Sequence, residues 1–370
     1  MIKKCLKSIK ITGITLLLTL SNLDACTGIR LIAEDKSVAY GRSMEWGAFD
    51  LNSRVVIISK GHDFVGLTPD GYNGKKWRSK YGVVALDMVN KMALADGMNE
   101  EGLTAGLFYH PGFAKYTKYD SAKAGNAITA IDVVTYILTQ YKSINEVREG
   151  MSRVTVVPVI DDSIGMVVDA HFIVTDSTGQ SIVIEFTEGK MKIHNAPLGV
   201  VTNAPNFDWH MTNLRNYVNL SQVSIPDKKI QELDFKPLGA GSGMIGLPGD
   251  TTPPSRFIRA VAFSQTARKT PTSSETIYEL FRILDSFNLG LGSAEGSLHA
   301  QEEDNALRSS TLWTTAHDIK NKVLYYHTQH NRRVRMIDLK AIDFSKKVDS
   351  IIHLPLDKSK EQDIENITPK

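Results

Sequence analysis

Short segments in which apolar and polar residues alternate recur between positions 26 and 110. A period of two is typical of β-strands with one buried face. The pattern returns after position 170, where two such runs flank turn residues 176–179 and indicate a hairpin. The predicted strands are residues 37–41, 54–59, 83–86, 92–95, 103–109, 171–175, 181–186, 191–194, 199–202, 311–316, 323–327 and 334–339.

Segments with apolar residues at helical spacing separate these blocks of strands. The predicted helices are residues 126–141, 144–151, 209–220, 254–267 and 275–287. Blocks of strands alternating with blocks of helices favour an α+β fold in which helices cover sheets. No change in composition divides the chain, so we predict a single domain over residues 26–356 and a charged C-terminal tail over residues 357–370.

The first 25 residues have the pattern of a secretory signal peptide. Residues 1–10 are basic, and the apolar run at 11–21 has 11 residues, which is shorter than the roughly 20 that a membrane-spanning helix needs. The small residue Ala25 stands before Cys26. We therefore expect cleavage after Ala25, a mature protein in the periplasm or secreted, and no transmembrane span.

Cleavage at this site would leave Cys26 as the first residue and the single cysteine of the mature chain, since Cys5 is removed. Such a chain has no internal disulfide. Cys26 has three interpretations: a leftover thiol, a lipid-anchored cysteine, or an N-terminal nucleophile. Leu23 and Ala25 resemble the box that precedes lipid-anchored cysteines, but the charged Asp24 fits that box poorly.

An N-terminal cysteine carries a nucleophile and a base in one residue. The thiolate is the attacking species, and an ordinary thiol is mostly protonated at neutral pH. An α-amino group titrates near ~8, so much of it is neutral and can accept the thiol proton. Acylation of Cys26 would block both groups, so the lipid-anchor and nucleophile interpretations exclude each other.

Composition and charge narrow the class of protein. The chain has 370 residues, of which 42% are hydrophobic and 23% charged, so it can bury a substantial core. Its 43 basic and 41 acidic residues become 39 and 40 after removal of residues 1–25, which hold four lysines and one aspartate. A net charge of −1 argues against a nucleic-acid partner.

Motifs for other hydrolase and cofactor chemistry fail in context. The glycines at 241, 243 and 246 match a dinucleotide fingerprint, but Pro248 follows where a helix should begin. The ten histidines show no zinc-protease pattern, and no serine stands in the Gly-x-Ser-x-Gly pattern of a nucleophile elbow. We therefore predict a reaction that uses no cofactor and no metal.

Four ordered blocks resemble one known family, the choloylglycine hydrolases, which include bile salt hydrolases and penicillin V acylases. These are cysteine members of the N-terminal-nucleophile hydrolases. The resemblance covers residues 26 to about 330 and implies an αββα sandwich, with two antiparallel sheets covered by helices, and a homotetramer. The leader and Glu45-Trp46 look more like the exported Gram-negative branch. The blocks are Cys26-Thr-Gly-Ile-Arg30 with Gly41-Arg-Ser-Met-Glu-Trp46, Asp96-Gly-Met-Asn-Glu-Glu-Gly-Leu103, Val201-Thr-Asn-Ala-Pro205 with Asp208-Trp-His210, and Leu247-Pro-Gly-Asp250 through Phe257.

The resemblance also implies roles for individual residues. Cys26 would attack the amide carbonyl, and Arg42 beside it would favour the thiolate. Asn203 would donate to the oxyanion, and Arg256 would complete the polar cluster. Without the resemblance, such arginines usually form surface ion pairs, and an asparagine before Ala-Pro usually shapes a turn.

Two positions depart from the family pattern. Glu45 stands where many members have aspartate, and its longer side chain can hydrogen-bond the N-terminal amine only if the backbone lies slightly further away. Phe108 or Tyr109 stands where bile salt hydrolases have asparagine. A bile-salt-type contact from that side chain is therefore not expected.

We interpret the chain as an exported amidase that cleaves a linear C–N bond through an acyl-Cys26 intermediate. Its small-molecule substrate is expected to have an apolar acyl group, and Trp46, Phe64, Phe108 and Tyr109 are the predicted pocket residues. The family's exported branch implies penicillin V and fatty-acyl homoserine lactones. Conjugated bile salts are the alternative substrate class. A lipid-anchored binding protein without turnover is the alternative function.

Overall fold

The computed structural model describes residues 26–47, 50–163, 165–293, 310–346 and 351–369. The predicted signal peptide lies outside the described residues. The strands, in chain order, are β1 (Thr27–Ile32), β2 (Val38–Trp46), β3 (Arg54–Ile58), β4 (Asp63–Val65), β5 (Lys76–Arg78), β6 (Val83–Met88), β7 (Ala93–Asn99), β8 (Thr104–Tyr109), β9 (Ala127–Ile128), β10 (Thr155–Val156), β11 (Ile160–Asp161), β12 (Met166–Val167), β13 (Ala170–Thr175), β14 (Ser181–Thr187), β15 (Lys190–Asn195), β16 (Val200–Val201), β17 (Lys228–Ile230), β18 (Leu233–Phe235), β19 (Ser310–Asp318), β20 (Val323–Thr328), β21 (Arg335–Asp338) and β22 (Ile352–Pro355). The α-helices are α1 (Val133–Gln140), α2 (Ile144–Met151), α3 (Phe207–Asn213), α4 (Pro253–Thr266) and α5 (Ser273–Asp285).

Two antiparallel sheets form the centre of the structure. The first has the order β16-β1-β2-β19-β20-β21, and the second has the order β15-β14-β13-β8-β7-β6-β3-β22. Helices α4 and α5 pack on the first sheet, and α1 packs on β7 and β8 of the second. The predicted αββα sandwich is therefore confirmed.

The layer between the sheets is partly polar. Asp96 of β7 accepts hydrogen bonds across the layer from Thr315 and His317 of β19, both at 2.7 Å. Arg42 of β2 reaches the carbonyl oxygens of Ala95 and Leu107 in the second sheet. Since buried polar groups are stable only when paired, these bonds hold the two sheets at one relative position.

Most of the predicted strands and helices are present, and the differences have physical causes. Strand β1 was not predicted, and β2 continues to Trp46, well past the predicted end at residue 41. All nine residues of β2 are buried between neighbouring strands and layers, so polar side chains there interrupt the expected alternation without ending the strand. The segment 311–316 likewise belongs to a longer strand, β19.

Two predicted helices are shorter than expected. In the segment 126–141, Ala127–Ile128 pairs in parallel with Thr155–Val156, and a 3-10 turn (Ala130–Asp132) precedes α1. In the segment 209–220, α3 ends at Asn213 and a 3-10 turn (Leu214–Tyr217) follows. Strand pairing with a distant segment, which periodicity cannot reveal, replaces the first turn of the earlier helix.

The order of strands brings the predicted site residues together. Cys26 directly precedes β1, which lies between β16 and β2 in the first sheet. Arg42 and Glu45 are on β2, Asn203 follows β16 by two residues, and Arg256 lies in the first turn of α4, which packs on β1 and β16.

The domain boundary at residue 356 stays a prediction, although Asp357 of the predicted tail pairs with Arg335 at 2.5 Å. Among the described residues, no helix has both the length and the apolar composition that a bilayer span requires.

Candidate active site

Cys26 lies at the start of β1 and is almost completely buried, with 3% of its surface exposed. Its Sγ atom is 3.8 Å from the thioether sulfur of Met44 on the neighbouring strand β2. The same thioether is 3.5 Å from Nη2 of Arg42. Met44 therefore contacts both the thiol and the guanidinium, and the sequence prediction did not include it.

Arg256 connects the residues around Cys26. Its Nη1 donates to the Cys26 carbonyl and, at 2.9 Å, to the Thr27 hydroxyl. Its Nη2 donates to Oδ1 of Asn203 at 2.7 Å, and its Nε donates to the Thr251 carbonyl at 2.9 Å. The side chain is fully buried, so this set of acceptors is what makes its burial possible.

Hydrogen bonds to both the oxygen and the nitrogen of its side-chain amide fix the orientation of Asn203. Oδ1 accepts from Arg256, which identifies the other terminal atom as the nitrogen. Nδ2 donates one of its two protons to the Tyr109 carbonyl at 2.8 Å. The second proton of Nδ2 is the one that could serve as an oxyanion donor, as the sequence prediction requires.

Arg42 is buried between the sheets. Its nitrogens donate to the carbonyls of Ser43 and Ala95, each at 3.1 Å, and to the carbonyl of Leu107. Its guanidinium carbon lies 4.2 Å from the ring centroid of Phe108. A cation stacked on an aromatic ring in a dry environment is well stabilised, so Arg42 supplies a fixed positive charge near Cys26.

Glu45 is fully buried beside these cations. Its Oε1 accepts a hydrogen bond of 2.9 Å from the Thr311 hydroxyl of β19. Burial raises the pKa of the Glu45 carboxyl to about 7, even though the charges of Arg256 and Arg42 and the Thr311 hydroxyl favour the ionised form. A carboxyl with this pKa changes its charge in the neutral pH range.

A small apolar cavity of about 30 Å³ lies beside the Cys26 thiol. Trp46 and Tyr109 form one wall, with their rings edge to face at 5.8 Å. Among the described residues, the lining consists of Cys26, Met44, Trp46, Leu51, Met88, Leu107, Tyr109, Met166 and Val168. The cavity is thus formed mainly by aliphatic and thioether side chains that the sequence prediction did not name.

The structure places two of the four predicted pocket residues elsewhere. Successive side chains of β8 point in opposite directions, so Phe108 lies on the other side from Leu107 and Tyr109, under the Arg42 guanidinium. Phe64 packs on Trp77, with ring centroids 5.1 Å apart. Neither residue lines the cavity at Cys26: Phe108 supports Arg42, Phe64 belongs to a separate aromatic cluster, and a substrate contact from either stays a prediction.

Behind Asn203 lies a cluster of His110, His171 and Glu185, whose nitrogen and oxygen atoms come within 4.8 Å of one another. The planes of the two imidazole rings differ by 1°, and their centroids are 4.3 Å apart. Because the lone pairs of imidazole lie in the ring plane, two stacked rings cannot both direct a lone pair at one ion. The group does not fit a metal site, and the prediction of chemistry without metal or cofactor stays a prediction.

One known protein family matches most of this chain. The family of linear amide C–N hydrolases, choloylglycine hydrolase family, matches residues 26–353. This chain belongs to that family. It is therefore a hydrolase of carbon–nitrogen bonds in linear amides.

Relatives of known structure and sequence agree with this assignment. The chain is 31% identical over 317 residues to a bile salt hydrolase/transferase from Clostridium perfringens, covering 85% of this chain and 92% of the relative. It is 25% identical to a penicillin V acylase from Pectobacterium atrosepticum, covering 85% and 80% of the two chains. A solved variant of the conjugated bile acid hydrolase from Clostridium perfringens superposes with a TM-score of 0.80 at 27% identity, covering 93% of this chain and all of the other.

Several contacts at this choloylglycine hydrolase site were missed by the sequence analysis. Met44 lies inside the block that carries the resemblance, so its position two residues after Arg42 was a usable signal. Thr311 is 266 positions from Glu45, and His171 and Glu185 were interpreted only as parts of a hairpin. No local pattern links these residues to Cys26, because the fold alone brings them together.

The titration of Glu45 predicts how stability depends on pH. A raised pKa means that the folded state holds its proton more tightly, so this contribution is present below about pH 4.5 and is lost as pH rises through about 7. Relative to Glu45→Gln, which does not titrate, the wild type should lose roughly 3 kcal/mol of unfolding free energy between pH 4.5 and 8. Urea unfolding at several pH values measures this difference.

The exposed Glu361 provides the matched control. Glu361→Gln should differ from the wild type by nearly the same amount at every pH, because its carboxylate is solvated in both states. A Glu45→Gln difference that is equally independent of pH would contradict the assigned titration.

Proposed function

We propose that this enzyme hydrolyses amides whose acyl group is aromatic or aliphatic, such as the phenoxyacetyl amide penicillin V and fatty-acyl homoserine lactones. The observation that carries the proposal is the cavity whose wall includes the Cys26 thiol. Apart from that thiol, the Trp46 indole and the Tyr109 hydroxyl, its lining offers aliphatic and thioether groups only. An acyl group without hydroxyls loses no hydrogen bonds when it packs against such a lining.

The proposed reaction begins at the sulfur of Cys26. As the sulfur attacks the amide carbonyl carbon, its proton passes to the α-amine of the same residue. The oxyanion that forms accepts a hydrogen bond from the second N–H of Asn203. The C–N bond then breaks, the α-amine returns the proton to the leaving amine, and water hydrolyses the thioester to a carboxylic acid and the original thiol.

Conjugated bile salts are the second candidate substrates, because the relative at 31% identity is named a bile salt hydrolase/transferase. Their steroid acyl group carries hydroxyls that need polar partners in the site. Bile salt hydrolases are expected to have an asparagine where this chain has Phe108 or Tyr109. Neither of these side chains has a carboxamide that could bind such a hydroxyl. The cavity therefore favours the less polar acyl groups.

A turnover panel tests the substrate class. We expect a higher kcat/KM for penicillin V and for acyl homoserine lactones than for glyco- and tauro-conjugated bile salts. Steroid hydroxyls that lose their water without gaining a partner weaken binding of the transition state. Cys26→Ala should reduce turnover on the order of 10⁶-fold, as loss of a nucleophile does in comparable hydrolases. A clear preference for bile salts would favour the second candidate. Failure on every amide would contradict the proposal, provided that Cys26 is shown to be the N-terminal residue.

The mechanism requires that a signal peptidase removes residues 1–25, and we propose that the protein is exported to the periplasm or the medium. The family match supports this processing, because it begins at Cys26. We expect the N-terminal peptide of protein purified from the exporting cell to begin with an unmodified Cys26. Mass spectrometry of that peptide checks the expectation. A peptide that begins elsewhere, or a diacylglycerol on the sulfur, would contradict it and support the lipid-anchored alternative.

We also infer that the enzyme assembles as a homotetramer, as the family resemblance implies. The hairpin of β17 and β18 exposes apolar side chains, among them Leu233 at 64%, Phe235 at 51% and the adjacent Leu238 at 100%. Exposed apolar patches mark protein interfaces, so we propose that a second copy of this chain covers the hairpin. Analytical ultracentrifugation should show tetramers for the wild type and smaller species for Leu233→Asp. Ile364→Asp, at another exposed apolar residue, should remain tetrameric, and an unchanged Leu233→Asp would exclude this hairpin from the interface.

A further inference from the structure

Two buried histidines hold the backbone that carries Asn203. Nε2 of His171 lies 2.8 Å from the carbonyl oxygen of Thr202, and Nε2 of His210 lies 3.0 Å from the carbonyl oxygen of Asn203 itself. A carbonyl only accepts hydrogen bonds, so both Nε2 atoms must carry the proton. The carbonyl groups of two consecutive residues are thus each held by a buried imidazole.

His171 is fixed in turn by Glu185. Its Nδ1 lies 3.2 Å from Oε1 of Glu185, and since its Nε2 already donates, a proton must lie between Nδ1 and the carboxyl oxygen. Although burial opposes ionisation, hydrogen bonds from His171 and His194 hold the pKa of Glu185 below its usual range. Glu185 therefore acts as an ionised anchor for the ring that holds Thr202.

His210 is held by packing as well as by its hydrogen bond. Its ring stacks on Phe257 at 4.8 Å, and Phe257 is adjacent to Arg256, the partner of the Asn203 amide. Burial lowers the pKa of His210 to about 4, so the ring is neutral at pH 7 and its single N–H is the one given to Asn203. Glu185 also accepts the backbone N–H of Phe207, the first residue of the helix that carries His210, at 2.8 Å.

We propose that His210, His171 and Glu185 are positioning residues for the oxyanion donor Asn203. None of them needs to contact the substrate. They fix the peptides at 202 and 203, and with them the direction in which Nδ2 of Asn203 presents its second proton to the developing oxyanion. The inference rests on the proposed mechanism, in which Asn203 is that donor, because only then does its orientation affect the rate.

The test is a double-mutant cycle between positions 210 and 203, measured on the panel amide that the wild type hydrolyses fastest. His210→Leu removes the donor, and we expect kcat to fall roughly 10²-fold with KM within about two-fold of wild type. His210→Gln keeps an N–H of similar reach and should restore most of kcat. In the Asn203→Ala background, His210→Leu should cause no further loss, because the group it positions is absent.

Three measurements separate positioning from general damage. His327→Leu, at a buried histidine that packs on Phe281 at the far side of the first sheet, should leave kcat unchanged and so controls for loss of a buried imidazole. The rate at which iodoacetamide alkylates Cys26 should be unaltered in His210→Leu, since alkylation forms no oxyanion. Thermal unfolding shows whether each variant is folded, and His210→Gln keeps the proposal testable if His210→Leu is not.

Different results overturn different statements. A wild type that hydrolyses no amide of the panel contradicts the proposed function and the inference together. An active wild type whose kcat is unaffected by His210→Leu contradicts the inference alone. The inference is also wrong if the double variant loses kcat by the product of the two single-variant factors. It is wrong, too, if a folded His210→Gln has as low a kcat as His210→Leu.

Discussion

The buried guanidinium of Arg256 is the interaction on which the arrangement of the site depends. It joins the first residues of β1, the segment after β16 and the N-terminal loop of α4 through its bonds to Cys26, Asn203 and Thr251. A buried cation is tolerated only where acceptors converge on its donors. The same acceptors belong to the nucleophile's own backbone and to the proposed oxyanion donor, so the position of each reacting group is coupled to the others.

Exclusion of water strengthens the electrostatic interactions of the charged groups in this region. Arg42 lies between the sheets on the ring of Phe108, and Glu45 is buried close enough to both arginines for their charges to oppose its high pKa. In a medium of low polarity such fixed charges act more strongly than in water. The site is thus apolar where the acyl group is expected to bind and strongly charged behind the nucleophile.

The layer between the sheets explains why polar side chains can occur throughout β2. Asp96 with Thr315 and His317, and Arg42 with the carbonyls of Ala95 and Leu107, pair across that layer. Each of these hydrogen bonds is buried, so a lateral displacement of one sheet would leave their donors and acceptors unpaired. This requirement keeps Cys26 and Tyr109, which lie on different sheets, at a constant separation across the cavity.

Local pattern was sufficient for much of this protein. Alternating residues predicted most strands and helical spacing most helices, because side-chain direction follows from backbone geometry alone. The motif blocks identified the family and selected Cys26, Arg42, Asn203 and Arg256, which the structure brings to one place. The tertiary structure decided what depends on distant contacts: the end of β2, the direction of Phe108, the distance of Phe64 from the cavity, and the histidines behind Asn203. Those contacts join residues far apart in the chain, and only the stacking of the two sheets determines which of them meet.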